Sequence, residues 1–299
     1  MNFLKTWWLA IRPHTLSAGA VPVVVGSALA FTHGAFAWEL AGLTLLGALL
    51  VQIGANLTDE YADHDATGSS GKYLAPHKVI ARGLLTAHQV KRGAMAAFVV
   101  ATAIGAYLVW RSDLNLLWLC LASLVVAWAY SAGPLPLGDQ ALGEVLVFVF
   151  MGPVMVLGTV YVQWVRWDWE ALFLALPVGG LVTAILMANN LRDFEEDHAQ
   201  GRRTLATLYG PHIIKIAYLV LLVWVYLIPP ALVGAGWGGG WLMLPWLGLP
   251  LAYQLGWQIW RGGSIVLRHQ AIPRSSLHHL LFGTLLAAGL LLDHWLGRY

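Results

Sequence analysis

Eight stretches of this chain contain no Asp, Glu, Lys or Arg: residues 13–38, 40–58, 93–110, 114–138, 145–165, 171–191, 216–260 and 275–292. A helix crossing the hydrocarbon core of a bilayer needs about 20 mostly apolar residues, and the stretches are of that order. The one at 216–260 is too long for a single crossing. It breaks at Pro229-Pro230 and the glycine-rich run from Gly234 to Gly240, where helix hydrogen bonding is interrupted. The reading is an all-α polytopic membrane protein, a bundle of nine transmembrane helices around a central cavity. The helices are expected at about 14–34, 38–57, 92–110, 114–132, 143–163, 170–190, 212–230, 240–260 and 278–296, within a single domain over residues 1–299. Trp7 and Trp8, between Lys5 and Arg12, read as an amphipathic lead-in to the first span rather than a cleaved signal.

Charged residues are 11% of the chain, against about a quarter in soluble proteins, too few to cover a water-facing surface. This excludes a soluble enzyme and a disordered chain, and a single cysteine, Cys120, excludes a disulfide-stapled domain. The basic residues form no dense run, so lipid rather than nucleic acid is the expected environment. Fourteen of the 17 lysines and arginines fall on one side of the expected topology, leaving Arg111, Arg166 and Arg298 on the other. That bias puts the N-terminus and the basic loops in the cytoplasm and the C-terminus outside.

Eight of the 15 acidic residues lie in two short segments, Asn56 to Asp65 and Asn189 to Asp197. Each begins at the cytoplasmic end of a span, after the second and the sixth. Asn56, Glu60 and Asp63 recur at helical spacing, as do Asn189, Asp193 and Asp197, so each set shares a helix face. Carboxylates crowded beside a membrane repel one another and are costly there unless a cation joins them. Oxygen ligands suit Mg²⁺, which completes its shell with water and substrate phosphates. Asn56, Asp59, Glu60, Asp63, Asn190, Asp193 and Asp197 are the candidate metal ligands, and no cysteine or paired-histidine cluster competes.

Lys72, Lys78 and Arg202 lie near these segments and suit a diphosphate, with Asn189 beside it; their alternative role is the charge bias alone. Arg82, Lys91 and Arg92 are assigned to that bias. An apolar bundle topped by acidic segments fits a substrate with a diphosphate head and a hydrocarbon tail, whose cationic fragment needs a water-poor chamber. An electron-rich acceptor ring would draw on Arg12, His14 and Tyr130. Arg12 reads equally as a carboxylate clamp or a charge at a helix mouth, and Tyr130 as a hydrogen-bond donor or an interfacial anchor. The residues expected to act in the reaction itself are Asp63, Asp193, Asp197, Lys72 and Tyr130.

Several segments carry a resemblance: Arg12-Pro13-His14-Thr15-Leu16, Gly133-Pro134 to Gly143-Glu144, Gly152-Pro153 to Gly158-Thr159, and Asn189-Asn190-Leu191-Arg192-Asp193 through Gly201-Arg202-Arg203-Thr204. In these the chain resembles the membrane-embedded aromatic prenyltransferases, and among them the branch acting on 1,4-dihydroxy-2-naphthoate in menaquinone biosynthesis. The first acidic segment departs from the usual form, with Asp59-Glu60 where Asn-Asp is common and Thr67 where some relatives have aspartate. The resemblance implies nine helices and Mg²⁺-dependent transfer of a polyprenyl group from polyprenyl diphosphate in a bacterial cytoplasmic membrane. The ring carboxylate of the naphthoate would be replaced, releasing carbon dioxide and diphosphate and forming demethylmenaquinol. The rival readings are another acceptor (4-hydroxybenzoate, homogentisate or haem), a phospholipid-type phosphotransferase, whose compact Asp-Gly-x-x-Ala-Arg motif is absent, and a membrane transporter.

Overall fold

A computed structural model describes residues 2–67, 78–133, 136–262 and 265–297. Regular structure among them is helical, apart from one isolated bridge pairing Gln140 with Arg203. The helices are α1 (Phe3–Ala10), α2 (Ser17–Thr32), α3 (Trp38–Thr67), α4 (Ala87–Arg111), α5 (Asn115–Ala129), α6 (Gly143–Val149), α7 (Met155–Trp164), α8 (Trp169–Ala199), α9 (Leu205–Tyr209), α10 (Pro211–Gly234), α11 (Leu249–Arg261) and α12 (Ile265–Trp295). A wide turn over Phe150–Val154 joins α6 to α7 into one span, Gly143–Trp164.

Among the described residues, seven helices are long and apolar enough to cross a membrane. The expected span at 114–132 is the shorter α5, and the one at 240–260 divides into a 3-10 stretch, Gly240–Gly248, and the 13-residue α11. Pro245 and Pro250 fall in this region, where each removes a backbone donor. The expected ends shift as well. α3 continues ten residues past the expected span end at 57, so the first acidic segment lies on the same helix as the span.

α8 is the central post, with 78% of its apolar window buried, against 22% for α3. It packs with α2, α10 and α12 around Leu29, Leu174, Leu181, Tyr218 and Phe282, a closed apolar core. α3, α4 and α5 pack less completely, and between them and α6–α8 lies a cavity of about 480 Å³. A second apolar cluster, including Leu40, Leu108, Leu116 and Tyr161, closes the end of this half farthest from the acidic segments.

The crossing of the α6–α7 span over α8 depends on two glycines. A Cβ at Gly152 would lie 2.7 Å from Gly179 Cα and 3.0 Å from the Ala175 carbonyl oxygen, so the backbones touch. The adjoining Pro153 lacks an N–H, and the wide turn absorbs the missing bond. Gly152→Ala is therefore expected to destabilise the protein by about 1–3 kcal/mol through overpacking, read as a lower thermal midpoint in detergent. Gly42→Ala, where nothing lies within 4 Å, should leave the midpoint in place; equal shifts for both would refute the close-crossing argument.

Candidate active site

The mouth of the cavity is assembled from three places in the chain. The first is the hinge between α1 and α2. Arg12 sits there at φ 51°, a left-handed conformation that costs a non-glycine residue roughly 1–2 kcal/mol. Asn56 holds the hinge, its Nδ2 donating to the Ile11 carbonyl and the Thr15 hydroxyl, both at 2.8 Å. The left-handed turn directs Arg12 onto α3, where Nη1 meets Asp59 Oδ2 at 2.6 Å and Nη2 lies 3.8 Å from Glu60 Oε2. Burial opposes the charge on Arg12, and the carboxylates of Asp59 and Glu60 outweigh it, holding the guanidinium pKa above its usual value. Its Nε and Nη2 are buried without a hydrogen-bond partner in the cavity wall.

The second place is the last two turns of α3. Asp63 bonds to Lys78 Nζ and, through Oδ1 at 2.7 Å, to Arg202 Nη2. Asp59 also accepts from the Ser131 hydroxyl at 3.3 Å. Asn56, Glu60 and Asp63 do not act as one stripe. Glu60 is buried, its Oε1 accepting from the Ile80 N–H at 3.0 Å, and it does not line the cavity. Asn56 lines the cavity, but its amide is taken up by Ile11, Thr15 and Gln52. Successive residues on a helix turn by about 100°, so Asn56, Asp59, Glu60 and Asp63 all fall within one arc of about 100°, and it is their partners, not their spacing, that separate them. Glu60 Oε1 is thus spent on the Ile80 backbone and the Asn56 amide on the hinge, while Glu60 Oε2 has no hydrogen-bond partner.

The third place is the end of α8 and the loop after it. Arg192 bonds to Asp193 and to Asn189 Oδ1, the latter at 2.8 Å. Asn190 Nδ2 donates to Glu144 Oε1 at 2.9 Å, which leaves the Asn190 carbonyl for the cavity it lines. The backbone N–H of Arg203 donates to the Asp139 carbonyl at 3.2 Å, and that of Ala141 to the Arg203 carbonyl at 2.6 Å, tying the turn after α5 to this loop. Arg202 is thereby held where its Nε meets Asp139 at 3.2 Å and its Nη1 meets Asp197 at 3.3 Å. Burial opposes its charge, but Asp63, Asp139 and Asp197 raise its pKa above the usual value. Burial raises Asp139 above the ordinary carboxylate range while Arg202 pulls it back.

Tyr130, at the end of α5, faces the cavity between these parts. Gly143 makes room for it, since a Cβ there would lie 3.1 Å from the tyrosine hydroxyl. Burial first, then the fields of Glu144 and Asp59, push the phenol well above its usual value, so at neutral pH it is a protonated donor. His14 is exposed and lines the mouth. Lys72 lies outside the described residues, as does the side chain of Asp65.

One guanidinium therefore joins the two acidic segments, across 139 residues of sequence between Asp63 and Arg202. The expected set omits Asp139 and Arg192, each of which pairs with an expected residue. Asp139 had a signal: it is the first charged residue after a stretch from 114 to 138 without one. Among the described residues no three His, Cys, Asp or Glu side chains are grouped closely enough to hold an ion by themselves; Asp59, Asp63, Asp193 and Asp197 pair instead with arginine or lysine. The donor set still fits Mg²⁺, which takes one or two carboxylates and fills its shell with water and phosphate oxygens. It offers no sulfur or imidazole set of the kind that selects softer metals.

Residues 20–281 match the UbiA prenyltransferase family. A 1,4-dihydroxy-2-naphthoate octaprenyltransferase of Bacillus subtilis is 29% identical over 96% of this chain and 93% of its own. One of Mycobacterium tuberculosis is 35% identical over 74% of this chain and 76% of its own. Among solved structures, a UbiA homolog from Archaeoglobus fulgidus bound to GPP and Mg²⁺ superposes with a TM-score of 0.61 at 14% identity, covering 94% of this chain and 99% of that one. With a family match over most of its length and the two acidic segments meeting at the mouth of an apolar cavity, the chain belongs to the UbiA prenyltransferase family and is a membrane-embedded transferase.

Proposed function

We propose that the protein transfers a polyprenyl group from polyprenyl diphosphate to 1,4-dihydroxy-2-naphthoate, releasing carbon dioxide and diphosphate and forming demethylmenaquinol, which oxidises to demethylmenaquinone. The observation that carries this reading is Arg202, bonded to Asp63, Asp139 and Asp197 at the open end of an apolar chamber. A diphosphate head belongs at such an end and a hydrocarbon tail in such a chamber. The naphthoate acceptor is supported by the printed activity of the relatives and by the match in the segment from Gly133 to Glu144.

Arg202 and Lys78 hold the diphosphate, arginine with its two-pronged fork and lysine as a point charge. Asp59, Asp63, Asp193 and Asp197, with the Asn190 carbonyl, are the residues that would hold Mg²⁺, which when bound neutralises the charge gathering on the departing diphosphate. The bond from the allylic carbon to oxygen breaks, its electrons leave with the diphosphate, and the chamber walls keep water from the cationic fragment. The acceptor ring supplies the electron pair for the new carbon–carbon bond, and the pair from the carboxylate bond restores the ring as carbon dioxide departs. Tyr130 donates to an oxygen of the acceptor, and Arg12, whose Nε makes no hydrogen bond, meets an anionic group of a substrate. The basic loops and this mouth face the cytoplasm, and nine crossings, two of them short, leave the C-terminus outside.

The test is an assay of purified protein with geranylgeranyl diphosphate, Mg²⁺, and carboxyl-labelled naphthoate or 4-hydroxybenzoate. Labelled carbon dioxide released in step with prenylated naphthoquinol is the expected result. A product from 4-hydroxybenzoate alone would overturn the acceptor, and no product from any aromatic acid would overturn the reading.

A further inference from the structure

A chain of polar groups runs from the hinge into the chamber, and each link fixes the direction of the next. The Thr15 hydroxyl donates to the Arg12 carbonyl at 2.9 Å, which leaves its oxygen as an acceptor. Asn56 Nδ2 donates to that oxygen and to the Ile11 carbonyl, both at 2.8 Å. A backbone carbonyl only accepts, so the Asn56 amide has one orientation, with Oδ1 turned from the hinge. Gln52, one turn earlier on α3, donates to that Oδ1 from Nε2 at 3.3 Å. Its own amide is thereby oriented too, and the end left over is an acceptor. Gln52 Oε1 is buried without a hydrogen-bond partner in the chamber wall.

Gln52 lies seven residues from Asp59 along α3, about 10 Å down from the mouth. The carboxylates lining the chamber, Asp59, Asp139, Asp193 and Asp197, are those of the mouth, so a lone carbonyl this far below them makes no metal site. Hydroxyls of the surrounding walls are bonded within their own helices. Thr102 donates to the Phe98 carbonyl, Ser123 to Leu119 and Thr159 to Met155. Thr44 Oγ1 is unpartnered like Gln52 Oε1, but a hydroxyl rotates to find a partner, whereas this amide is held.

A buried acceptor with its bond unmade carries the full desolvation penalty, so the group that belongs against Gln52 brings a donor. Of the two substrates, polyprenyl diphosphate brings none, since its tail is hydrocarbon and its ionised head accepts. The naphthoate brings two hydroxyls, and the one beside the carboxylate is bonded internally to it. We propose that Gln52 Oε1 accepts from the other, the 4-hydroxyl, and so selects an acceptor ring with a donor at that position. This rests on the prenyl-transfer reading above. Asn56 then sets two groups at once, the hinge that carries Arg12 and the acceptor end of Gln52.

The experiment measures dissociation constants by calorimetry, without oxygen, for 1,4-dihydroxy-2-naphthoate and for 1-hydroxy-2-naphthoate, which lacks the 4-hydroxyl. Mg²⁺ and an unreactive thiolodiphosphate analogue of the donor are present, so that no turnover intervenes. The wild type should bind the dihydroxy acid about tenfold or more tightly, the scale of a buried acceptor left unpaired. Gln52→Leu and Gln52→Met should bring the two constants within about twofold of each other. Any disturbance of Asn56 falls on both ligands alike and cancels in this ratio, so a role confined to packing would leave the ratio unchanged. A thermal midpoint reports folding, and the wild-type ratio stands as the test if neither variant folds. Equal binding of the two acids by the wild type, the result if Gln52 faces only water or the donor's tail, would overturn the proposal. An unchanged ratio in a folded variant would do the same. Failure of the wild type to bind either acid, or to prenylate the dihydroxy acid, would instead overturn the reading of the reaction.

Discussion

Asp63→Ala is expected to lower turnover by about 10³-fold, the scale seen when a preorganised group stabilising developing charge is removed. Asp63 holds two cations, Lys78 and Arg202, and so is the point where the first acidic segment joins the second. Its removal leaves Arg202 on Asp139 and Asp197 and frees Lys78 of its carboxylate. The diphosphate then meets two cations that no longer converge. Stability should change little, because the side chain is about one-fifth exposed at the mouth, where water can replace it. The measurement is diphosphate release and prenylated product together, with a thermal midpoint as the control for folding. A folded variant retaining more than about a tenth of wild-type turnover would remove Asp63 from the mechanism. A transporter with acidic gating loops would show no such chemistry to lose.

Arg202→Gln carries the second large effect, in two opposite directions. Arg202 pairs with three carboxylates, and among the described residues no three His, Cys, Asp or Glu side chains are grouped to hold an ion. On the proposed function, a diphosphate held by Arg202 would compete with Asp63, Asp139 and Asp197 for the guanidinium, which would free carboxylates for a metal. Metal and diphosphate should therefore bind interdependently, each raising the affinity for the other by the same factor. With glutamine at 202 the three carboxylates lose their cation. Mn²⁺ used as a probe without donor should bind about tenfold more tightly by paramagnetic resonance titration. Inorganic diphosphate should bind about 10²-fold more weakly, the scale of losing a charge-assisted pair. Weaker metal binding together with weaker diphosphate binding would show that Arg202 supports the metal site instead of masking it.

The lipid-embedded helical class was legible from the chain because it rests on runs of residues without charge, and the positions of most spans follow from the same runs. The boundaries were less legible. α3 continues to Thr67, past the expected span end at 57, because groups from elsewhere, the Arg12 side chain on Asp59 and the Ile80 N–H on Glu60, compensate the acidic turn. The stretches expected to span at 114–132 and 240–260 came out shorter than a full crossing: α5 ends at Ala129, and 240–261 is divided into a 3-10 stretch and α11, with Pro245 and Pro250 in it.

The candidate site was legible in its residue types and only partly in their pairings. Helical spacing grouped Asn56 and Glu60 with Asp63, and the hinge instead uses Asn56 to hold Arg12 in its left-handed turn. Asn190 was expected among the metal ligands, and its donor end is occupied by Glu144, which lies 46 residues earlier. Asp139 was missed because its value lies in Arg202, reached through a backbone tie between two turns. Such choices depend on which donor meets which acceptor in space, and spacing along one helix does not contain that.

What the order of amino acids decided by itself is the solvent: a chain with this little charge must turn apolar surface outward, and its acidic segments then fall at span ends, where water reaches them. What only the packed bundle decided is the convergence of those ends on one guanidinium and the depth of the chamber beneath. Burial energy depends on how much apolar surface a residue carries and little on its neighbour's identity, so it can be summed along a sequence. Hydrogen bonds and ion pairs fall away over a few tenths of an ångström and a few tens of degrees, so they exist only once distant helices have settled against one another.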